Sequence, residues 1–187
     1  MTPLKDLLRH PNTLTSFRIA VIPLIVILLY FDESPLCTFI AAMLFSAAAI
    51  TDYFDGFFAR RLGMVSTLGK VMDPVADKLL VSSAFIMLAS LNWVPAWIVC
   101  IIVGRELAVT GLRNIIAGKG EDVSASKLGK YKTGFQIAAI IPLIIHYRSF
   151  FGLNAQAIGE VMLWGALAFT IWSGADYFIK FRRLFRD

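Results

Sequence analysis

The sequence predicts an all-α integral membrane protein. It should have six transmembrane helices, a short amphipathic helix at the N-terminus, and both termini in the cytoplasm. Three observations lead there. First, the 187 residues are 58% hydrophobic with a mean hydropathy of +0.71, above the roughly 45–50% apolar content of a soluble domain. Second, six apolar runs recur along the chain. A spanning helix takes about 20 residues, so six take about 120, and residues 1–187 read as a single membrane domain. Third, the basic residues gather on one side of the runs. This composition excludes an ordinary water-soluble enzyme and a disordered chain. Cys37 and Cys100 lie in apolar runs, and His10 and His146 stand far apart. That suggests neither a disulfide framework nor a zinc site, and no nucleic-acid partner is expected.

The elements follow in order. Residues 3–10 fit a helix lying on the membrane surface. The apolar runs are roughly 15–31, 36–58, 71–91, 93–112, 131–147 and 155–179. The first run contains Pro23 and is followed by no small-residue cleavage site, so it does not read as a cleaved signal peptide. The linkers set orientation. Residues 32–35 and 91–95 carry no Lys or Arg, and the loop after the fifth run carries only Arg148. The other 17 of 18 Lys and Arg lie on the opposite side or at helix ends facing it. The positive-inside rule places that side in the cytoplasm and requires an even number of spans.

A charged side chain inside a span is costly and usually functional or paired. Four aspartates sit at the cytoplasmic ends of the second and third runs. They read Asp52-Tyr-Phe-Asp55-Gly56-Phe-Phe-Ala59-Arg60, then, after eight residues, Gly69-Lys-Val-Met-Asp73-Pro-Val-Ala-Asp77. Residues three or four apart share a helix face, so Asp52 aligns with Asp55 and Asp73 with Asp77. The short linker makes the two helices antiparallel neighbours, and both pairs converge near one membrane surface. Four carboxylates repel unless a cation sits among them. Hard oxygen ligands without His or Cys suit Mg²⁺, Mn²⁺ or Ca²⁺, and two metals about 3.5–4 Å apart suit phosphoryl-type displacement. Two other readings stay open: ion pairing with Arg60, Arg61, Lys70 and Lys78, or a cation relay in a transporter. Pro74 is expected in the first turn of the third span, where a missing N–H is tolerated.

The string D-x2-D-G-x2-A-R-x8-G-x3-D-x3-D, complete from Asp52 to Asp77, resembles the signature of the CDP-alcohol phosphotransferase family. Members transfer a phosphatidyl or similar group from a CDP-linked donor to an alcohol and release CMP. The resemblance implies a site for two divalent ions, Mg²⁺ or Mn²⁺, made of Asp52, Asp55, Asp73 and Asp77, with Asp77 also serving as general base. It implies that Gly56 and Arg60 lie near the CDP moiety of CDP-diacylglycerol. Asn12 and Thr15 resemble a further nucleotide-binding element that Ser66 joins, although an N-terminal Asn and Thr can equally cap the first helix. It also suggests a homodimer in a bacterial inner membrane, with the active site on the cytoplasmic side.

A second cluster bears on the acceptor. Arg105 and Arg113 are eight residues apart and fall close to one helix face. Lys130 and Lys132, with Lys127, open the fifth run. Basic groups at one membrane level offer a site for a phosphate, although ordinary positive-inside charge would look similar, and Lys119 and Lys127 are read that way. Arg105 is deeper, inside the run Ile101–Leu107. It needs a partner, either Glu106 or a ligand anion. The words Gly-Arg-Glu…Gly-Leu-Arg (104–113) and Gly-Lys-Tyr-Lys-Thr (129–133) resemble the bacterial branch of the family that uses sn-glycerol 3-phosphate. That branch would make phosphatidylglycerophosphate, with Arg105, Arg113, Lys130 and Lys132 on the acceptor phosphate. Relatives using inositol phosphate need a phosphate pocket too, and a non-enzymatic cation transporter remains the rival from another class.

Overall fold

The structure is a computed structural model. It describes the backbone of residues 11–31, 34–62, 67–118, 127–146, 149–150 and 153–180, and the side chains of 16–31, 34–51, 72, 74–116, 118, 129–146 and 154–180. The expected surface helix over residues 3–10 and the basic tail beyond Lys180 lie outside the described residues.

Among the described residues six helices form, in the expected order: α1 (Pro11–Tyr30), α2 (Pro35–Leu62), α3 (Thr67–Ser90), α4 (Ala96–Gly118), α5 (Lys127–Ile145) and α6 (Ala155–Lys180). A pair of two-residue antiparallel strands, β1 (Ser149–Phe150) and β2 (Leu153–Asn154), joins α5 to α6. Several helices outrun the apolar segments at the charged ends. α2 continues through Asp55 and Arg60 to Leu62, and α3 starts at Thr67. Pro74 therefore stands inside α3 and not in its first turn, so one ladder hydrogen bond is missing there.

The described chain divides into two compact units. The first holds α1, α2, α3 as far as Met87 and the C-terminal end of α5. There α1 packs along α2. α1 contributes Val21, Ile25 and Leu29, one turn apart, and α2 contributes Ala41, Ala42, Phe45 and Ala48. These spacings of three and four put each set on one helix face. Arg18, 1% exposed, extends the α1 stripe toward its N-terminal end. On α3, Ala76, Leu80, Ala84 and Phe85 form the buried face.

The second unit holds the end of α3, then α4, most of α5, the strand pair and α6. α3 stops in a Schellman-type cap. Asn92 takes a φ of 60°, Trp93 N–H donates to the Leu88 carbonyl at 3.0 Å, and Asn92 N–H donates to the Ala89 carbonyl at 3.1 Å. Asn154 Oδ1 accepts from Gln156 N–H at 3.0 Å and caps α6. Two glycines of α6 admit α5. A Cβ on Gly159 would stand 2.6 Å from Leu143 Cγ, and one on Gly165 would stand 2.7 Å from Phe135 Cδ1. Small residues at such contacts let helix backbones approach closely.

Much of the outer surface is apolar. Ile27, Leu36, Met43, Val161, Trp172 and Ile179 are all more than half exposed. Large exposed apolar patches are rare on monomeric soluble proteins and mark contact with a membrane or a partner. Among the described residues, α6 is the one helix long and apolar enough by itself to cross a membrane, and Ser16–Tyr30 and Pro35–Thr51 are shorter apolar stretches. α2, α3, α4 and α5 carry the charges of the two candidate sites within their length.

Candidate functional site

The candidate residues fall into two groups, one in each unit. The acidic group lies on α2 and α3. Asp52, Asp55, Gly56 and Arg60 are all in α2, and Asp73 and Asp77 are in α3. Asp52 lies ten residues before Leu62, the last of α2, and Asp77 lies ten residues after Thr67, the first of α3. Asp55 and Asp73 are likewise nearly equidistant from the connection between the helices. The side chains of Asp52, Asp55, Gly56, Arg60 and Asp73 lie outside the described residues, and so does Ser66 as a whole. Asp77 is described and half-buried. Beside it, Lys78 Nζ donates to the carbonyl of Pro74 at 3.4 Å. Asn12 and Thr15 are both in α1, which begins at Pro11; Thr15 is a full turn inside, beyond a capping position. Their side chains also lie outside the described residues.

The basic group is resolved in more detail. Arg105 and Glu106 are on α4, Lys132 is on α5, and Ser173 and Gly174 are on α6. Lys132 is 5% exposed and Glu106 9%. Lys132 Nζ donates to Glu106 Oε1, and Arg105 Nη1 donates to the same oxygen at 3.1 Å. Arg105 Nη2 donates to Ser173 Oγ at 2.9 Å. The Ser173 hydroxyl in turn donates to its own helix, to the Phe169 carbonyl at 2.6 Å. One carboxylate oxygen thus ties two cations from two helices, and a third helix supplies the next acceptor.

Local sequence explains part of this. Neighbouring residues on a helix do not face each other, so Arg105 meets Glu106 only because its long side chain folds back. Gly174 makes room for it: a Cβ there would stand 3.2 Å from Arg105 Cγ. Lys132 is drawn inward because a buried carboxylate needs a partner. Removing one member of a buried ion pair typically costs about 3–5 kcal/mol, so none of these three charges is a passive surface group. Arg113 is half-buried, whereas Lys130 is exposed. The four basic residues grouped in the sequence therefore sit in different environments.

Some of this network was not marked in the sequence. Ser173 and Gly174 gave no signal, since Ser and Gly are ordinary packing residues in membrane helices. Two more buried polar residues share the network's helix faces. Gln136, 2% exposed, is one turn beyond Lys132, and Thr170, fully buried, is one turn before Ser173 and Gly174. The buried atoms Arg105 Nε, Gln136 Nε2 and Thr170 Oγ1 have no hydrogen-bond partner among the described residues. All three can donate. Such groups cost about 1–3 kcal/mol each when left unsatisfied, so the region is suited to a ligand or waters rich in acceptor oxygens.

Comparison with known proteins bears on both groups. The family model of CDP-alcohol phosphatidyltransferase matches residues 8–172. A Bacillus subtilis protein named CDP-diacylglycerol–glycerol-3-phosphate 3-phosphatidyltransferase is 44% identical, covering 91% of this chain and 93% of its own length. A Rickettsia bellii protein of the same name is 39% identical, covering 94% and 96%. One from Shigella flexneri, again of that name, is 35% identical over 89% and 91%. The match spans the aspartates of α2 and α3 and the basic residues of α4 and α5, and on that extent the chain belongs to the CDP-alcohol phosphatidyltransferase family.

Proposed function

We propose that this protein transfers the phosphatidyl group of CDP-diacylglycerol to sn-glycerol 3-phosphate, giving phosphatidylglycerophosphate and CMP. The relatives' shared name supports both substrates. The observation that carries the acceptor is the convergence of Arg105 and Lys132, from two helices, on one buried point. Choline or serine would have less need of such a group, whereas an acceptor with its own phosphate would use it.

In this reading Arg105, Arg113, Lys130 and Lys132 hold the acceptor phosphate, and the charge-assisted contacts fix its orientation. Gly56 and Arg60, with Asn12, Thr15 and Ser66, hold the nucleotide of the donor. Asp77 accepts the proton of the primary hydroxyl. The freed oxygen attacks the phosphorus attached to diacylglycerol, the bond from that phosphorus to the CMP oxygen breaks, and CMP leaves. The signature holds no Ser, Cys or His with a matching base, which favours direct attack over a covalent intermediate. Asp52, Asp55, Asp73 and Asp77 form an all-oxygen donor set that fits Mg²⁺ or Mn²⁺. Two such ions, when bound, would neutralise charge on the pyrophosphate.

The membrane arrangement belongs to the same reading: six spans, termini and active site on the cytoplasmic side of a bacterial inner membrane. A homodimer is part of it too. Gly104, Gly111 and Gly118 recur every seven residues on α4, and a Cβ on any of them would meet, beyond its own stretch of helix, no atom of the described residues within 4 Å. That leaves an open, small-residue face of the kind that admits another helix. Cross-linking in native membranes tests the dimer.

The deciding experiment supplies purified protein with CDP-diacylglycerol, Mg²⁺ and one alcohol at a time, and measures CMP. Release with sn-glycerol 3-phosphate, and little with inositol phosphate or plain glycerol, is expected. Cation flux across vesicles without CMP release would replace this reading with a transporter.

A further inference from the structure

A carboxylate is an odd neighbour for an anion site. Glu106 removes one unit of positive charge from the place where a phosphate is to bind. Yet it is buried, and it is shared by the two cations that converge there. We infer that Glu106 is a positioning residue. It fixes Arg105 and Lys132 before the acceptor arrives and stops their mutual repulsion from separating them.

Three features carry this. The pairing crosses elements, since Lys132 of α5 reaches Glu106 of α4. Arg105 is held at a second point by Ser173 of α6, and Gly174 gives its stem a place to lie. Its Nε–H has no partner among the described residues, although the atom is buried. The guanidinium is thus anchored through both terminal nitrogens while its buried Nε–H stays uncommitted. Preorganisation of this kind strengthens binding by cutting the cost of ordering side chains when the ligand arrives. It also gives the cluster a small net positive charge when empty, which eases its burial among apolar helices.

The inference rests on the acceptor-site reading, and the test separates the two. Glu106→Gln, Ser173→Ala and Arg105→Gln are compared in full-length protein in detergent–lipid micelles, with KM measured for sn-glycerol 3-phosphate and for CDP-diacylglycerol. Glu106→Gln should raise the acceptor KM roughly 10-fold, the scale of one weakened charge-assisted contact. The donor KM and kcat at saturating acceptor should stay within about twofold. Ser173→Ala should act in the same direction by a few-fold, and it remains informative if Glu106→Gln folds poorly. Combining Glu106→Gln with Lys132→Met should cost less than the sum of the two, as expected for residues that act through each other.

A fall in acceptor KM in Glu106→Gln would make Glu106 a repulsive element and overturn the inference. Equal changes in both KM values, with a lower melting temperature, would reduce it to a structural residue. If Arg105→Gln raises the acceptor KM while Glu106→Gln and Ser173→Ala do not, the positioning role alone falls. If Arg105→Gln leaves the acceptor KM unchanged, the acceptor-site reading falls and this inference falls with it.

Discussion

Lys132 and Glu106, 26 residues apart, are bonded through the lysine ammonium and one carboxylate oxygen, and both are more than nine-tenths buried. Lys130, two residues away on the same helix, is exposed. Two lysines that look alike in the sequence therefore have different surroundings. Lys132→Met should lower the melting temperature and raise the acceptor KM by about one to two decades, from the roughly 1.5–3 kcal/mol of a charged hydrogen bond. Lys130→Gln should leave the melting temperature unchanged and move the KM less. Thermal unfolding and acceptor titration of the two variants check this. Equal behaviour would mean that burial does not matter here.

Arg105→Gln and Arg113→Gln should each raise the KM for sn-glycerol 3-phosphate roughly 10- to 100-fold, with little change for CDP-diacylglycerol. Lys119→Gln, read as ordinary positive-inside charge, should do almost nothing. A loss of donor binding that spares the acceptor would mean the two pockets are wrongly assigned. If plain glycerol serves as well as its phosphate, the basic residues do not select a phosphate.

Asp52→Asn and Asp73→Asn should abolish activity even at saturating Mg²⁺ or Mn²⁺, because an amide cannot replace a carboxylate shared between cations. Asp77→Asn should keep donor binding and cut turnover by a factor on the order of 10²–10⁴. Steady-state rates together with donor binding distinguish these roles. Collapse of donor binding in Asp77→Asn would leave that residue a metal ligand and nothing more.

Gly159→Ala tests packing apart from chemistry. The added Cβ would stand 2.6 Å from Leu143 Cγ and 3.1 Å from the Leu143 backbone nitrogen. Leu143 is fully buried, so α5 and α6 would have to separate. Overpacking of this sort costs about 1–3 kcal/mol. A lower melting temperature with near-normal KM values is the expected result, and unchanged stability would show that the helices yield easily.

The sequence by itself determined the helical class, the order of the six helices and the acidic signature. Each is a local property: long apolar runs form helices, and carboxylates three or four residues apart share a face whatever surrounds them. It also marked Arg105 as a charge in need of a partner, and named Glu106 and a ligand anion as the two choices. Only the tertiary structure decided between Lys130 and Lys132 and brought Ser173 and Gly174 to Arg105. The reason is physical. Which lysine turns inward depends on a carboxylate on another helix, and a glycine's value lies in the side chain that occupies its missing bulk. The extension of α2 and α3 past their apolar runs was also beyond hydropathy. Asp, Arg and Lys end an apolar count, but they do not end a helix whose backbone hydrogen bonds continue through them.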